Sequence, residues 1–282
     1  RIIARAVKDD IVIYSSHTNL DMLSKGVSWK MAERLGLSGM KVLQPLKGRL
    51  IKLVTFVPGD HLDRVRDAVF SAGAGFIGNY DRCGFVVSGT GSFRAGEGTN
   101  PFAGEQGQMH FENESRFETV LFSHLRDKVV KALLEAHPYE EVAYDLYPLE
   151  NDNVDLGLGC FGYFQDPLGE RDFLDLVAGR LEAGGLRHSN LTGKMIRKVA
   201  VCGGSGSSLL SDAIACRADA FVTGDIKYHT WFDSDNSILL ADCGHFESEK
   251  FSTEVLHDLI IKKFPTFALR FSETNTNPIN YL

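Results

Sequence analysis

Three observations predict an α/β core interrupted by a ferredoxin-like α+β insert. Strand-like and helix-spaced runs alternate at both ends of the chain. Across residues 48–150 the order changes to strand, helix, strands, strand, helix, strand, the split βαβ pattern. Three polar clusters, each at the exit of a predicted strand, bracket that stretch: His17-Thr18-Asn19-Leu20-Asp21, Asp225-Ile226-Lys227-Tyr228-His229, and Cys243 through Glu249. Open α/β sheets bind ligands at the carboxyl ends of their strands, and imidazole and carboxylate donors converging there describe a metal site. Residues 1–47 therefore form the first part of a metal-binding core, 48–150 the insert, and 151–282 the second part.

In chain order, Asp10 to Ser16 is a β-branched strand that delivers His17 and Asp21 into a turn. Trp29 to Leu37 has helical spacing and stops at the Gly36/Gly39 pair. The insert opens with strand Ile51 to Val57, turns at Pro58-Gly59-Asp60, and continues as helix His61 to Ser71. Alternating strands follow around Phe76 and over Phe85 to Ser88. Gly89 to Gln108 is glycine-rich and polar and reads as a long mobile loop. Strand Phe117 to Phe122, helix Leu125 to Ala136 and strand Val142 to Leu149 complete it. The α/β rhythm then resumes with strand Gly157 to Phe164, helix Arg171 to Ala183, strand Lys198 to Cys202 and helix Ser208 to Arg217. Strand Ala220 to Thr223, a short helix from Ile226, strand Ile238 to Ala241, a long helix Phe246 to Phe264 and strand Thr266 to Phe271 finish the chain.

With 44% hydrophobic and 24% charged residues over 282 positions, the chain has the composition of a folded two-domain protein. A net charge of -7 without a Lys/Arg run argues against nucleic acid as the ligand. No apolar run reaches the roughly 18 residues of a membrane span. The five cysteines are odd in number and lack C-x-x-C pairing, which suits reduced thiols and a cytoplasmic setting. The amino terminus is neither a signal peptide nor an initiator sequence, and is expected to start partway through a gene product.

His245 and Glu249 carry the strongest chemistry. Their i, i+4 spacing puts imidazole and carboxylate on one helix face, where both reach one ion, while Glu247 points elsewhere. Asp21 is the natural anionic partner from the other strand exit, since a carboxylate bridges two divalent ions about 3.5–4 Å apart. His17 and His229 are further candidates as ligands or proton carriers. Asp225 is a helix cap, an orienter of His229, or both.

Gly157-Leu158-Gly159-Cys160-Phe161-Gly162 matches G-x-G-x-x-G, but its aromatic continuation reads as strand, with no helix on the third glycine. Gly203-Gly204-Ser205-Gly206-Ser207-Ser208 lies between a strand and a helix. It is read either as a tight turn capped by Ser208 or as a phosphate or substrate contact through Gly204, Ser205 and Gly206. No serine-hydrolase elbow is present, and Cys243 reads as a small packed residue.

The blocks Ser16 to Asp21, Val201 to Ser207, Thr223 to His229 and Asp242 to Glu249 resemble the signatures of the Nif-three-like dinuclear metal-centre family, whose members carry the label GTP cyclohydrolase 1 type 2 homologue. The resemblance spans essentially the whole chain. The insert, with His137-Pro138-Tyr139-Glu140-Glu141, resembles the PII-like, CutA-like domain of longer members. What the resemblance implies is a toroidal homohexamer with two divalent metal ions per subunit (zinc, iron or manganese), and Asp21, His245 and Glu249 as metal ligands. The family's paired-histidine motif lies upstream of the stretch where this chain starts, and no His-His occurs here. Either the chain is truncated at its amino end, which is the expectation, or its metal centre is incomplete, and as it stands it is expected to bind one ion weakly or none.

The mechanism expected on this basis is hydrolysis of a small nucleotide-like or phosphoester substrate, with His229 or His17 shuttling a proton. The alternative is a non-enzymatic scaffold or sensor that binds an effector at the insert.

Overall fold

A computed structural model of the chain describes residues 1–281. In order, its elements are α1 (Ile2–Lys8), α2 (Thr18–Asp21), α3 (Val27–Leu35), β1 (Ser38–Leu46), β2 (Leu50–Pro58), α4 (Leu62–Ser71), β3 (Gly84–Arg94), β4 (Met109–Phe122), α5 (Arg126–Ala136) and β5 (Tyr144–Leu149). Then come β6 (Asn153–Leu168), α6 (Glu170–Leu181), β7 (Arg187–His188), β8 (Ile196–Val201), α7 (Leu210–Ala215), β9 (Ala220–Thr223), β10 (Leu239–Asp242), α8 (His245–Glu249) and α9 (Ser252–Lys263). The chain divides into two compact units, Lys47–Asn153 and the remainder on either side of it.

The remainder is built on a six-stranded sheet of order β1-β6-β8-β9-β10-β7. Strands β8, β9 and β10 run parallel in sequence order, and β6 and β7 flank them antiparallel. Side chains on these short strands alternate between two cores. Val199, Val201, Ala220, Val222, Leu239 and Ala241 pack with α3 and α6 on one face. Ala200, Phe221 and Leu240 pack with α7 on the other. A sheet covered on both faces needs apolar residues at successive positions, which is why these strands read as continuous hydrophobic runs. The G-x-G-x-x-G stretch lies wholly inside β6, as its aromatic continuation predicts. Its first glycine permits close strand approach: a Cβ on Gly157 would meet the Gln44 carbonyl oxygen at 2.2 Å.

Lys47–Asn153 is the expected ferredoxin-like α+β module, with element order β2-α4-β3-β4-α5-β5 and sheet order β3-β4-β2-β5, antiparallel throughout. Its core joins Leu53 and Val57 of β2, Val65 and Val69 of α4, Phe117 and Leu121 of β4, and Val129 and Leu133 of α5.

Several expected elements differ. Asp10 to Ser16 is irregular, and Ile11, Val12, Ile13 and Tyr14 are exposed. Among the described residues no strand pairs with this run, and an unpaired strand leaves its backbone groups without partners. The strand around Phe76 reduces to a bridge between Ile77 and Tyr80. The first six residues of the expected loop, from Gly89, belong to β3, which pairs with β4 as far as Arg94 opposite Met109. Exposure of nearly every β3 residue explains why its composition reads as loop. Helix Ser208 to Arg217 opens as a 3-10 turn, Ser207–Leu209, and Ser208 is not its cap. The long terminal helix breaks at Lys250 and Phe251 into α8 and α9, and Thr266 to Phe271 is irregular. Strand β1, with Pro45 at the sheet edge where a missing N–H is tolerated, went unread in the sequence.

Candidate metal centre

Consecutive parallel strands deliver three loops to one end of the sheet: Gly203 to Gly206 after β8, Gly224 and Asp225 after β9, and Cys243 and Gly244 after β10, leading into α8. Hydroxyls and one buried carboxylate hold them together. Thr223 Oγ1 donates to the Gly204 carbonyl (3.0 Å) and accepts the Gly206 N–H (2.9 Å). Ser248 Oγ accepts the Gly204 N–H (2.8 Å) and donates to the His245 carbonyl (2.8 Å). Asp242, 2% exposed, accepts N–H groups from Ile226 (2.9 Å) and Gly244 (3.0 Å) and pairs with Arg187.

Two glycines let the loops close. A Cβ on Gly224 would lie 2.9 Å from the backbone of Gly244 and His245, and one on Gly204 (φ +65°) would lie 2.2 Å from Glu249 Oε1 and 3.4 Å from His245 Nε2. Gly204 thus forms the floor beneath the His245–Glu249 pair.

His245 is the hub of the charged groups. Its Nδ1 lies 2.6 Å from Asp225 Oδ2, and its Nε2 lies 3.3 Å from Glu249 Oε2. Partial burial alone would lower the imidazolium pKa; the hydrogen bond to Asp225 and the charges of both carboxylates outweigh it, and the net shift is upward. Asp225 (φ +54°) therefore orients His245, neither capping a helix nor orienting His229.

The amino-terminal segment joins the same place. Leu20 and Val27 pack with Val255 and Leu256 of α9, and Ser28 Oγ accepts the Gly203 N–H (3.2 Å). Asp21, at the end of α2, is half-buried. Burial and then the Glu249 carboxylate raise its pKa, while His17 and His245 pull it down. Cys202, pushed up to about 12 chiefly by burial, also feels Asp21 and Glu249. Asp21, His245 and Glu249 thus share one electrostatic neighbourhood. His17 lies beside Asp21, exposed, with Thr18 Oγ1 2.9 Å from its Nδ1. His229 sits on an exposed 3-10 turn against the Tyr228 ring, and no hydrogen bond or ion pair joins it to Asp225, His245 or Glu249.

Crowding of carboxylates around one imidazole, with Asp21 driven toward its neutral form, is the charge imbalance that a divalent cation relieves. The donor chemistry suits zinc, iron or manganese alike. As the side chains stand, His245 spends both nitrogens on carboxylates, and among the described residues no three His, Cys, Asp or Glu groups form an ion-holding set.

The glycine-serine loop is not an open anion cradle. The N–H groups of Gly203, Gly204 and Gly206 are donated inward to Ser28, Ser248 and Thr223, which leaves exposed Ser205 as its outward group. Cys243 is fully buried with its thiol pushed up to about 12 by burial, so it is a packed residue and not a nucleophile. Glu247 faces away from the donors, 3% exposed, accepting from Asn277 Nδ2 (3.0 Å) and the Tyr281 hydroxyl (3.2 Å). It ties down the irregular carboxyl-terminal tail. That tail, with His245, Glu249 and Thr253, lines a cavity of about 730 Å³ walled by Phe271, Ser272 and Thr274.

Sequence reasoning missed Asp242, Thr223, Ser248 and Ser28. Asp242 had a readable signal, because an acid closing the buried run Leu239-Leu240-Ala241 must find donors at the strand exit.

The whole chain aligns at 41% identity with the GTP cyclohydrolase 1 type 2 homolog of Halalkalibacterium halodurans, covering 77% of that protein. It aligns at 38%, again over 100% of the chain and 77% of the relative, with the Bacillus subtilis protein of the same name. The crystal structure of a Bacillus cereus protein related to NIF3 superposes with a TM-score of 0.82 at 38% identity, covering 100% of this chain and 76% of that one. Residues 1–278 match the Duf34/NIF3 (NGG1p interacting factor 3) family, to which this chain belongs.

Proposed function

We propose that the chain is the ligand-bearing part of a divalent-metal centre that hydrolyses a small nucleotide-like or phosphoester substrate. The observation that carries this reading is the shared electrostatic neighbourhood of Asp21, His245 and Glu249, drawn from opposite ends of the sequence. These three residues would hold the metal, with Asp21 the candidate to serve two ions. When bound, a divalent cation supplies Lewis acidity and makes water a nucleophile near neutral pH.

The protein groups do the rest. Asp225 fixes the His245 ring and raises its basicity, as second carboxylates do for ligating imidazoles. Gly204 keeps the space below Glu249 clear of side-chain atoms. Exposed His17, beside Asp21, carries a proton between substrate and solvent, with exposed His229 the second candidate for that role. The 730 Å³ cavity offers hydroxyls of Ser272 and Thr274 to a polar substrate and the Phe271 ring to a planar one, and Ser205 adds a contact from the loop. The name shared by the relatives supports a GTP-like substrate.

Assembly into a toroidal homohexamer and a cytoplasmic setting belong to the same proposal. Free thiols at all five cysteines and exposed Phe85, Val87 and Phe111 on the insert support them. Among the described residues no helix is long and apolar enough to cross a membrane. The test is Glu249→Gln in the chain extended to the full length of its relatives, with metal content by elemental analysis and turnover over a nucleotide and phosphoester panel. Loss of metal and of chelator-sensitive turnover is the expected result. Retention of both would sink the assignment.

A further inference from the structure

The insert contains a cavity that the metal chemistry does not use. It measures about 320 Å³ and is lined by the rings of Phe93, Phe102 and Tyr139 and the carboxylates of Glu114, Glu140 and Glu141. Tyr139 stands between the other two rings, 5.8 Å from Phe102 and 6.2 Å from Phe93, tilted by 47° and 58°. Tilted rings do not cover one another's faces as stacked ones would.

Two of the carboxylates are built in. Tyr139 donates its hydroxyl to Glu114 Oε1 (2.8 Å), and the Asn100 N–H donates to Glu140 Oε1 (2.9 Å), which ties the loop after β3 to the turn after α5. Glu141 is exposed, and among the described residues no hydrogen bond or ion pair engages it. Burial and the bond to Glu114 hold the Tyr139 phenol well above its ordinary pKa, so it remains a neutral donor. Against three carboxylates the cavity presents one guanidinium, Arg94.

The combination selects a ligand class. An anion would meet uncompensated carboxylates, and a small metal ion would keep its water in preference to ring faces. A purely apolar ligand would gain nothing from three charges. Ring faces and carboxylates together attract a weakly hydrated organic cation. We propose that this cavity binds a small organic ammonium ion, with its alkyl groups against Phe93, Phe102 and Tyr139 and its charge balanced by Glu114, Glu140 and Glu141. The site lies within one unit, and its assignment is independent of the metal reading.

The test uses choline and its neutral carbon isostere, 3,3-dimethylbutan-1-ol, titrated calorimetrically into the whole chain with chelator present. Choline is expected to bind saturably, and the neutral isostere about tenfold more weakly or worse. Phe102→Ala and Glu141→Gln, both at exposed positions that leave the core intact, are each expected to weaken choline binding by about tenfold. Absence of saturable heat at millimolar choline, equal affinity for the neutral isostere, or choline affinity indifferent to both substitutions would each overturn the proposal.

Discussion

Asp225 Oδ2 and His245 Nδ1 stand 2.6 Å apart, so the loop after β9 sets which way the imidazole at the start of α8 faces. Asp225→Asn keeps an acceptor of similar size and removes the charge. In chelator-treated protein the His245 pKa, raised in the parent, should fall in an NMR titration. Metal affinity should drop about 10–100-fold. The sign for stability follows: a raised histidine pKa adds stability that is fully present below its unfolded value and lost as pH rises through the folded one. The parent's advantage over the Asn variant should therefore shrink as pH rises through the raised pKa of His245, above the ordinary histidine range.

Gly204→Ala tests the floor of the site. The added methyl would fall 2.2 Å from Glu249 Oε1 at φ +65°. Left-handed backbone alone costs about 1–2 kcal/mol for a residue with a Cβ, and the displaced carboxylate should lose metal as well. Chemical denaturation and metal analysis read the two effects; unchanged metal content would show that Glu249 is not placed by this contact.

Glu170 gives a pH signature away from the site. Burial alone would raise its pKa, but N–H groups of Thr192 (2.6 Å) and Gly193 (2.9 Å) and the Thr192 hydroxyl (2.8 Å) hold it below its ordinary value. Its contribution is present above the unfolded carboxylate pKa and lost as pH falls through the depressed folded one. Glu170→Gln should cost about 1–3 kcal/mol at pH 7, with the gap from the parent closing in acid.

Tyr281→Phe removes one of the two donors to Glu247. The loss should be about 1–2 kcal/mol for a hydrogen bond to a buried carboxylate. Cleavage after Arg270 by trypsin should accelerate in native buffer. An unchanged cleavage rate would mean that Glu247 does not anchor the tail.

Periodicity and element order made the fold class legible. The alternation of Val199, Ala200 and Val201 between two cores, and the β-α-β-β-α-β order of the insert, are both written in local pattern. The pairing of His245 with Glu249 was legible because the two share a helix turn. What stayed hidden depends on partners distant in sequence. Ile11 to Tyr14 has strand composition and no strand to pair with, whereas Ser38 to Leu46 has weaker composition and β6 beside it. The inward bonding of Gly203, Gly204 and Gly206 depends on hydroxyls at Ser28, Thr223 and Ser248, which no local spacing announces.

Leu50 and Leu149, the first residue of β2 and the last of β5, pair directly opposite each other. The hundred or so residues between them leave and return at neighbouring points, so a folded insert ties off its own stretch of chain. The loop that must close before Asp21 meets Glu249 is then shorter by nearly half, and such a module can be gained or shed where β2 and β5 pair with little entropic penalty to assembly of the core.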